Sequence, residues 1–370
     1  MSKKLLLVAV LCSLSVAGIL ANQNVFAGRT TAGKIEYQVL DPIRQGSLEV
    51  FPVVAAMSYD TSEFLTLDEG LKAGDVVVTE YGKVQGLVRK HPPSGVWDGT
   101  VRPSGGAQVN TLVLVNNSKR PLILLAGEIV TGGKQDRVIA KDRIVPPESD
   151  PIDLGVFCVE PGRWVASSEK FGGMSLAMAA PSVRGSAMAD KDQSKVWAKV
   201  KESQEQVVSG MPLPAPAARE VQETSSYARV MQQPEVAKHV DSVAEPVQRN
   251  YESVIKQLKD KNAVGVVAAV NGEIVWADIF ASTSLLQKYW PKLVRSYASE
   301  AVVTKAKGAQ VTAKQAQEFL NDMQGRHETT EREPGLYSHT EVTGDGFKAF
   351  ELTSLLPKTG FDVHIAKMAN

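Results

Sequence analysis

Cysteine is nearly absent from this chain of 370 residues, which holds two, Cys12 and Cys158. Cys12 falls in an N-terminal stretch that reads as a cleaved leader, so the mature chain keeps one thiol and has no intramolecular disulfide. That also excludes a cysteine-rich metal site. His91, His239, His327, His339 and His364 are scattered without ligand spacing, so no metal and no cofactor is indicated. Cys158 lies inside the apolar run LGVFCV with no basic neighbour in sequence to lower its pKa, and reads as a small buried hydrophobe. An excess of either charge is also missing: there are 41 basic and 41 acidic groups. Such a balance leaves no electrostatic footprint for nucleic acid or an anionic membrane. After the leader no apolar run reaches the ~18 residues of a membrane span, so a soluble mature protein is expected. Ser167, Ser168 and Ser182 have no His and Asp near them to suggest a triad, and GGKQDR is no P-loop. No repeat of fixed period is visible.

The N-terminus has the grammar of an export signal. Lys3 and Lys4 precede an apolar stretch from Leu5 to Leu20, and Val25-Phe26-Ala27 offers small residues at the cleavage positions. Cleavage after Ala27 is expected, giving a periplasmic or extracellular protein that starts at Gly28; the alternative is an uncleaved anchor. Leu11 stands before Cys12 where a lipoprotein signal needs a small residue, so no lipid anchor is read.

The mature chain reads as α+β, with a β-rich N-terminal half forming an irregular sandwich or barrel. Packed with it is a helical second half containing a β-hairpin, and further strands close the chain. SLEVFPVVAAM, GDVVVTEY, VQGLV, VNTLVLV, PLILLA and LGVFCV are strand-like runs. One short helix interrupts them, opened by the capping box Thr66 to Glu69 and stopped at Gly74. Asn116-Asn117 and Pro146-Pro147 mark turns. Residues 28–202 make the β-rich part, and 203–245, rich in Pro, Ala, Gln and Ser, read as a surface linker with short helical pieces. Residues 246–305 form a helix/hairpin/helix part and 306–370 a C-terminal extension. Pro246 is expected to open a helix, and Asn271-Gly272 to turn a type I′ hairpin. Two helices are expected around Ser284 to Tyr289 and Pro291 to Val302, and another from Ala313 after Thr312. Residues 308–330 are otherwise polar and expected to be exposed. LYSHTEV, FKAFELTSL and FDVHIAKM are the last strands.

The stretch from Leu122 to Trp164 carries the candidate chemistry. Glu128 ends one apolar run, and Gly132, Gly133, Lys134, Gln135, Asp136 and Arg137 come next; LGVFCV leads likewise into Glu160, Gly162, Arg163 and Trp164. If the two strand ends meet, Glu128 and Glu160 face Arg137 and Arg163 around a glycine-lined cleft. Arg137 and Arg163 would then hold a phosphate or carboxylate, Gln135 would orient it and Trp164 would stack on a ring. Glu128 or Glu160 would act as general base if burial raised its pKa. The same residues equally suit a buried Glu–Arg network that closes the sheet end. Arg184 is a lesser candidate for the same cleft, more simply read as a solvated loop arginine. Trp276, Trp290 and Tyr297 read as core, and His364 as a satisfied sheet histidine.

LLAGEIVTGGKQDRVI followed by VFCVEPGRW resembles the ARG and rhodanese-phosphatase-superfamily-associated protein domain, a prokaryotic family of uncharacterised function. The likeness continues through VWAKV to WPKLVRSYASEA, spanning roughly residues 35–305. The motif falls on Glu128, Gly132, Gly133, Gln135, Arg137, Cys158, Glu160, Gly162, Arg163 and Trp164. The family's name implies association with ADP-ribosylglycohydrolase-type and rhodanese-phosphatase-type proteins, and so hints at nucleotide or phosphate chemistry. The leading expectation is an exported ligand-binding module for a small anion. Its alternatives are a hydrolase using Glu128 or Glu160, and a partner-docking envelope protein that uses the Met/Ala-rich segment 171–189 and the Pro-rich linker.

Overall fold

A computed structural model describes residues 36–81, 107–258, 260–304, 308–323 and 325–370, with the side chains of 174–176 excepted. The expected leader and the VQGLV strand lie outside these residues. The chain begins with β1 (Tyr37–Val39), β2 (Ile43–Gln45) and β3 (Leu48–Ala55), followed by β4 (Leu65–Thr66) and the short α1 (Leu67–Ala73). Thr66 caps α1 with the expected box, its hydroxyl accepting from Glu69 N while the Glu69 carboxylate accepts from Thr66 N, and Gly74 ends it. Next come β5 (Val76–Glu80), β6 (Thr111–Asn116), β7 (Leu122–Leu124), β8 (Glu128–Thr131) and β9 (Arg137–Ile139). After β10 (Arg143–Val145), β11 (Ile152–Cys158) and β12 (Lys170–Met178), helices take over.

Those helices are α2 (Pro181–Gly185), α3 (Gln193–Gly210), α4 (Ala215–Glu223), α5 (Tyr227–Gln232) and α6 (Pro234–Gln257), with a π-turn at Ser186–Asp190. The hairpin β13 (Asn262–Val270) and β14 (Glu273–Phe280) is followed by α7 (Thr283–Ala301) and α8 (Ala313–Asn321). The last strands are β15 (Gly325–Glu333), β16 (Tyr337–Gly344), β17 (Phe347–Ser354) and β18 (Asp362–Ala369).

Two β units result. A nine-stranded sheet runs in the order β1-β3-β13-β14-β18-β17-β16-β15, with β2 also on β3; a closed barrel runs β11-β6-β5-β12-β8-β9. A small third sheet, β10-β7-β4, lies beside the barrel interior, to which Leu65, Leu122 and Val145 contribute. β3 and β13 are buried on both faces, which explains their unbroken apolar sequences. One face meets Trp290, Leu293 and Tyr297 of α7, and the other meets Ala316 and Leu320 of α8. Pro52 is tolerated inside β3 because β1 covers Val53 to Ala55 and β2 covers Leu48 to Val50, leaving Pro52 outside both ladders. Asn271 and Gly272 both have positive φ, 58° and 81°, as the type I′ turn demands.

Several expectations about local structure need correction. Residues 203–245 are mostly helix, and Val207, Val221, Tyr227, Val236 and Val240 are buried, so the segment packs as core rather than running as a surface linker. Pro246 lies inside α6, and Pro291 joins two expected helices into the single α7. In each helix, burial of one apolar face outweighs the ~3 kcal/mol that an interior proline costs. Residues 325–333 are exposed throughout, as their polarity implies, but they form the strand β15, paired with β16. Within the Met/Ala-rich segment 171–189, Ala177, Met178, Ala180, Val183 and Met188 are buried and belong to the core.

Candidate functional site at the mouth of the barrel

Every barrel pairing is antiparallel, so the C-terminal ends of β5, β8 and β11 share one rim with the N-terminal ends of β6, β9 and β12. The Gly132-to-Asp136 turn and the loop from Val159 to Glu169 therefore lie at the same mouth. Below it the interior is filled by side chains such as Val78, Leu114, Val130, Ile139, Val156 and Phe171, as a barrel this narrow requires. The two-residue alternation of the strands carries that inward face up to Glu80 on β5, Arg137 on β9 and Cys158 on β11. Three polar groups thus cap an apolar interior.

Gly132 and Gly133 bend the β8–β9 turn with φ of 121° and 50°. A Cβ at Gly133 would lie 2.2 Å from the Phe171 ring and 2.6 Å from Glu80 Oε1, so only glycine lets the turn close over the mouth. Lys134 N then donates to Glu80 Oε1 at 2.6 Å. Glu80 is 2% exposed, and its Oε2 has no hydrogen-bond partner among the described residues.

Arg137 is fully buried. Its Nε donates to Val109 O at 2.8 Å, Nη1 reaches Asp136 O only at 3.5 Å, and Nη2 has no partner among the described residues. Burial lowers its pKa, opposed by Cys158, Glu80 and Asp136. Cys158 stands in register with Arg137 and is buried, and burial pushes its thiol up, so it stays protonated.

Arg163 is committed differently. Its Nε and Nη2 donate to the two Glu160 oxygens at 2.7 and 2.6 Å, and its Nη1 donates to Gly133 O and Val165 O, each at 2.9 Å. Glu160 Oε2 also accepts from Asp136 N at 3.0 Å, and Gln135 Nε2 donates to Glu160 O at 3.0 Å. Asp136 accepts in turn from Gly132 N and, at 2.7 Å, from Ser226 Oγ. Burial raises the Asp136 pKa, with Glu160 adding to the rise and the Ser226 bond opposing it. These groups form a clip that ties the β11–β12 loop to the glycine turn and to the first turn of α5. Trp164 is 42% exposed, with Lys134 Nζ 4.7 Å above its ring.

The single cleft expected from the sequence divides in two. Arg137, Arg163, Gln135 and Glu160 do converge, but Glu128 opens β8 while the turn follows its far end, about 10 Å along the strand. Glu128 Oε2 accepts from Leu125 N and Oε1 from Lys292 Nζ, both at 2.8 Å; Lys292 also meets Asp68 at 2.6 Å. Burial raises the Glu128 pKa and Asp68 adds to the rise, against Lys292.

A second charged cluster is not foreshadowed by any motif. Arg184 is a buried residue of α2, not a solvated loop arginine. Its Nε donates to Ala126 O at 2.9 Å, Nη1 donates to Asp278 Oδ2 at 2.9 Å, and Nη2 lies 2.9 Å from Oδ1. Asp278 also accepts from Tyr297 and lies 3.0 Å from His364 Nε2, while His364 Nδ1 is 2.5 Å from Asp142 Oδ2. Ala126 N donates to Asp142 Oδ1 at 2.7 Å. Arg184, His364 and two carboxylates, all buried, thereby join the barrel edge, α2, α7 and the large sheet. Charged residues alternating within the apolar strands EIVWADIF and FDVHIAKM were the available signal.

Among the described residues no group of three or more His, Cys, Asp or Glu is arranged so that it could hold a metal ion, and no helix is long and apolar enough to cross a membrane.

A barrel joined to a large antiparallel sheet, with the motif residues other than Glu128 gathered at the barrel mouth, defines an α+β class of domain. The profile of the ARG and Rhodanese-Phosphatase-superfamily-associated Protein domain matches residues 36–367, and the chain belongs to that family. The match extends past residue 305 to include the C-terminal strands, so the family domain runs further than the motifs alone suggested. No curated protein and no solved structure matches the chain significantly.

Proposed function

We propose that this is an exported, soluble binding module whose barrel mouth takes the anionic group of a small ligand, with Arg137 as its anchor. The observation that carries the reading is the buried guanidinium whose Nη2 has no acceptor among the described residues. An unpaired buried donor on a charged group costs several kcal/mol, and a phosphate or carboxylate would satisfy it through charge-assisted bonds. Gly132, Gly133, Gln135 and Arg163 then shape the mouth rather than bind, because the Arg163 donors are taken by Glu160 and backbone carbonyls. Trp164 is the exposed group available to a bulkier part of the ligand.

The hydrolase alternative draws less support. Glu160 accepts from two Arg163 nitrogens and Glu128 from Lys292, so both carboxylates are already engaged in ion pairs. Calorimetry with inorganic phosphate, nucleotides, sugar phosphates and carboxylates tests the proposal. Binding that is lost in Arg137→Ala and retained in Trp164→Ala supports it. Silence across the panel, or binding untouched by Arg137→Ala, overturns it.

A further inference from the structure

β15 is the last strand of the nine-stranded sheet, and every one of its residues from Gly325 to Glu333 is exposed. It pairs with β16 along one side only. A nine-residue edge of this kind leaves a row of backbone donors and acceptors facing solvent, and such an edge is a template for another strand.

The sequence of that edge, GRHETTERE, is complementary to itself. When an antiparallel strand pairs with its own copy about a two-fold axis normal to the sheet, facing residues share a side of the sheet, so some residue must face itself. With Thr330 facing Thr330, Glu328 falls opposite Arg332 and His327 opposite Glu333, and each pair occurs twice. Sliding by two residues one way sets Arg326 against Arg332; sliding the other way sets Glu331 against itself. Like charges directly opposite are destabilising in a sheet, whereas opposite charges stabilise it, so one register is selected.

We propose that β15 docks a second copy of this chain, edge to edge and antiparallel about Thr330, extending the nine-stranded sheet through the dimer. Of the flanking charges, Arg326 is held by Asp345 at 2.9 Å and Glu331 by Lys141 at 2.5 Å within the same chain, which leaves the central register intact. One pair of edge strands covers less than the ~800 Å² per partner of a standard interface, so the association is weak and forms at micromolar concentration.

Sedimentation of the full chain over a concentration series reaching about 100 µM in low salt reads this directly. The wild type is expected to self-associate. Arg332→Glu, which sets Glu328 against a second acid at both ends, should weaken the dimer about ten-fold, and Glu328→Arg should do the same. The double exchange Glu328→Arg with Arg332→Glu should restore it. Because Arg332 is exposed, Arg332→Glu should keep the wild-type melting temperature at dilute concentration. A wild type that stays monomeric throughout, an unchanged dimer in Arg332→Glu, or a double exchange that fails to recover would each overturn the proposal.

Discussion

Replacing Asp278 by Asn should unfold this protein more readily than almost any other change of so few atoms. The carboxylate is fully buried and meets Arg184, Tyr297 and His364 at once. Within the cluster, Arg184 and His364 lie against the carboxylates of Asp142 and Asp278. Asn keeps the shape but removes one negative charge, leaving a buried cation uncompensated, and its amide nitrogen adds a donor among donors. Breaking one partner of a buried pair costs about 3–5 kcal/mol, most of it the penalty of the charge left behind. The guanidinium midpoint, followed by the fluorescence of Trp276, whose ring lies 4.5 Å from the Arg184 guanidinium carbon, should fall accordingly. Replacing both partners by apolar residues, Arg184→Met with Asp278→Leu, should cost less than Asp278→Asn alone, because the orphaned charge goes with its partner. A loss below about 1 kcal/mol in Asp278→Asn, or a double variant worse than the single, would refute the charged description of the cluster.

The same geometry sets two further outcomes. Burial alone would lower the His364 pKa, but Asp142 and Asp278 outweigh it and the net shift is upward. A raised folded value means that His364 contributes its full stability below the unfolded pKa of about 6.5 and loses it as pH rises through the folded value. Denaturant midpoints for the wild type should therefore decline above neutral pH relative to His364→Gln; parallel pH profiles for the two proteins would contradict this. Gly272→Ala should destabilise by more than about 1 kcal/mol. Gly272 has φ of 81°, and an added Cβ would lie 2.4 Å from that of Ala309 and 2.8 Å from its carbonyl carbon. A melting temperature equal to wild type would contradict that.

Local signals survived the passage from sequence to structure wherever the chemistry was local. The Thr66 box, the Asn271-Gly272 turn and the Thr312 cap each involve residues within four positions, and all three sit where their spacing put them. The α+β class, with an irregular sandwich or barrel in its first half, followed from apolar runs cut by turn residues, and the structure holds the barrel. What failed depended on distance along the chain. Pro246 and Pro291 look like helix starts until tertiary packing is counted. The convergence of Gln135, Arg137, Glu160 and Arg163 was legible because β9 and β11 are neighbours in the barrel, whereas Glu128 pairs with Lys292, 164 residues away. Asp142, Arg184, Asp278 and His364 come from four separate stretches of chain, and each alone resembles an ordinary polar residue. Only their common burial shows that they belong together.

The pairing of β3 with β13 imposes an order on events that no single contact reveals. Val54 meets Ala263 and Phe51 meets Val267, while the entire barrel and the helices α1 to α6 lie between them in sequence. A chain emerging vectorially has all six barrel strands in hand well before the partner of β3 exists. This wholly buried strand must therefore wait, unpaired along that edge, until the chain has passed residue 262. Contacts of such span are the slow and aggregation-exposed ones in folding. The short strands β1 and β2, which fold back on β3 from its own immediate neighbourhood, already shield its other edge during that interval.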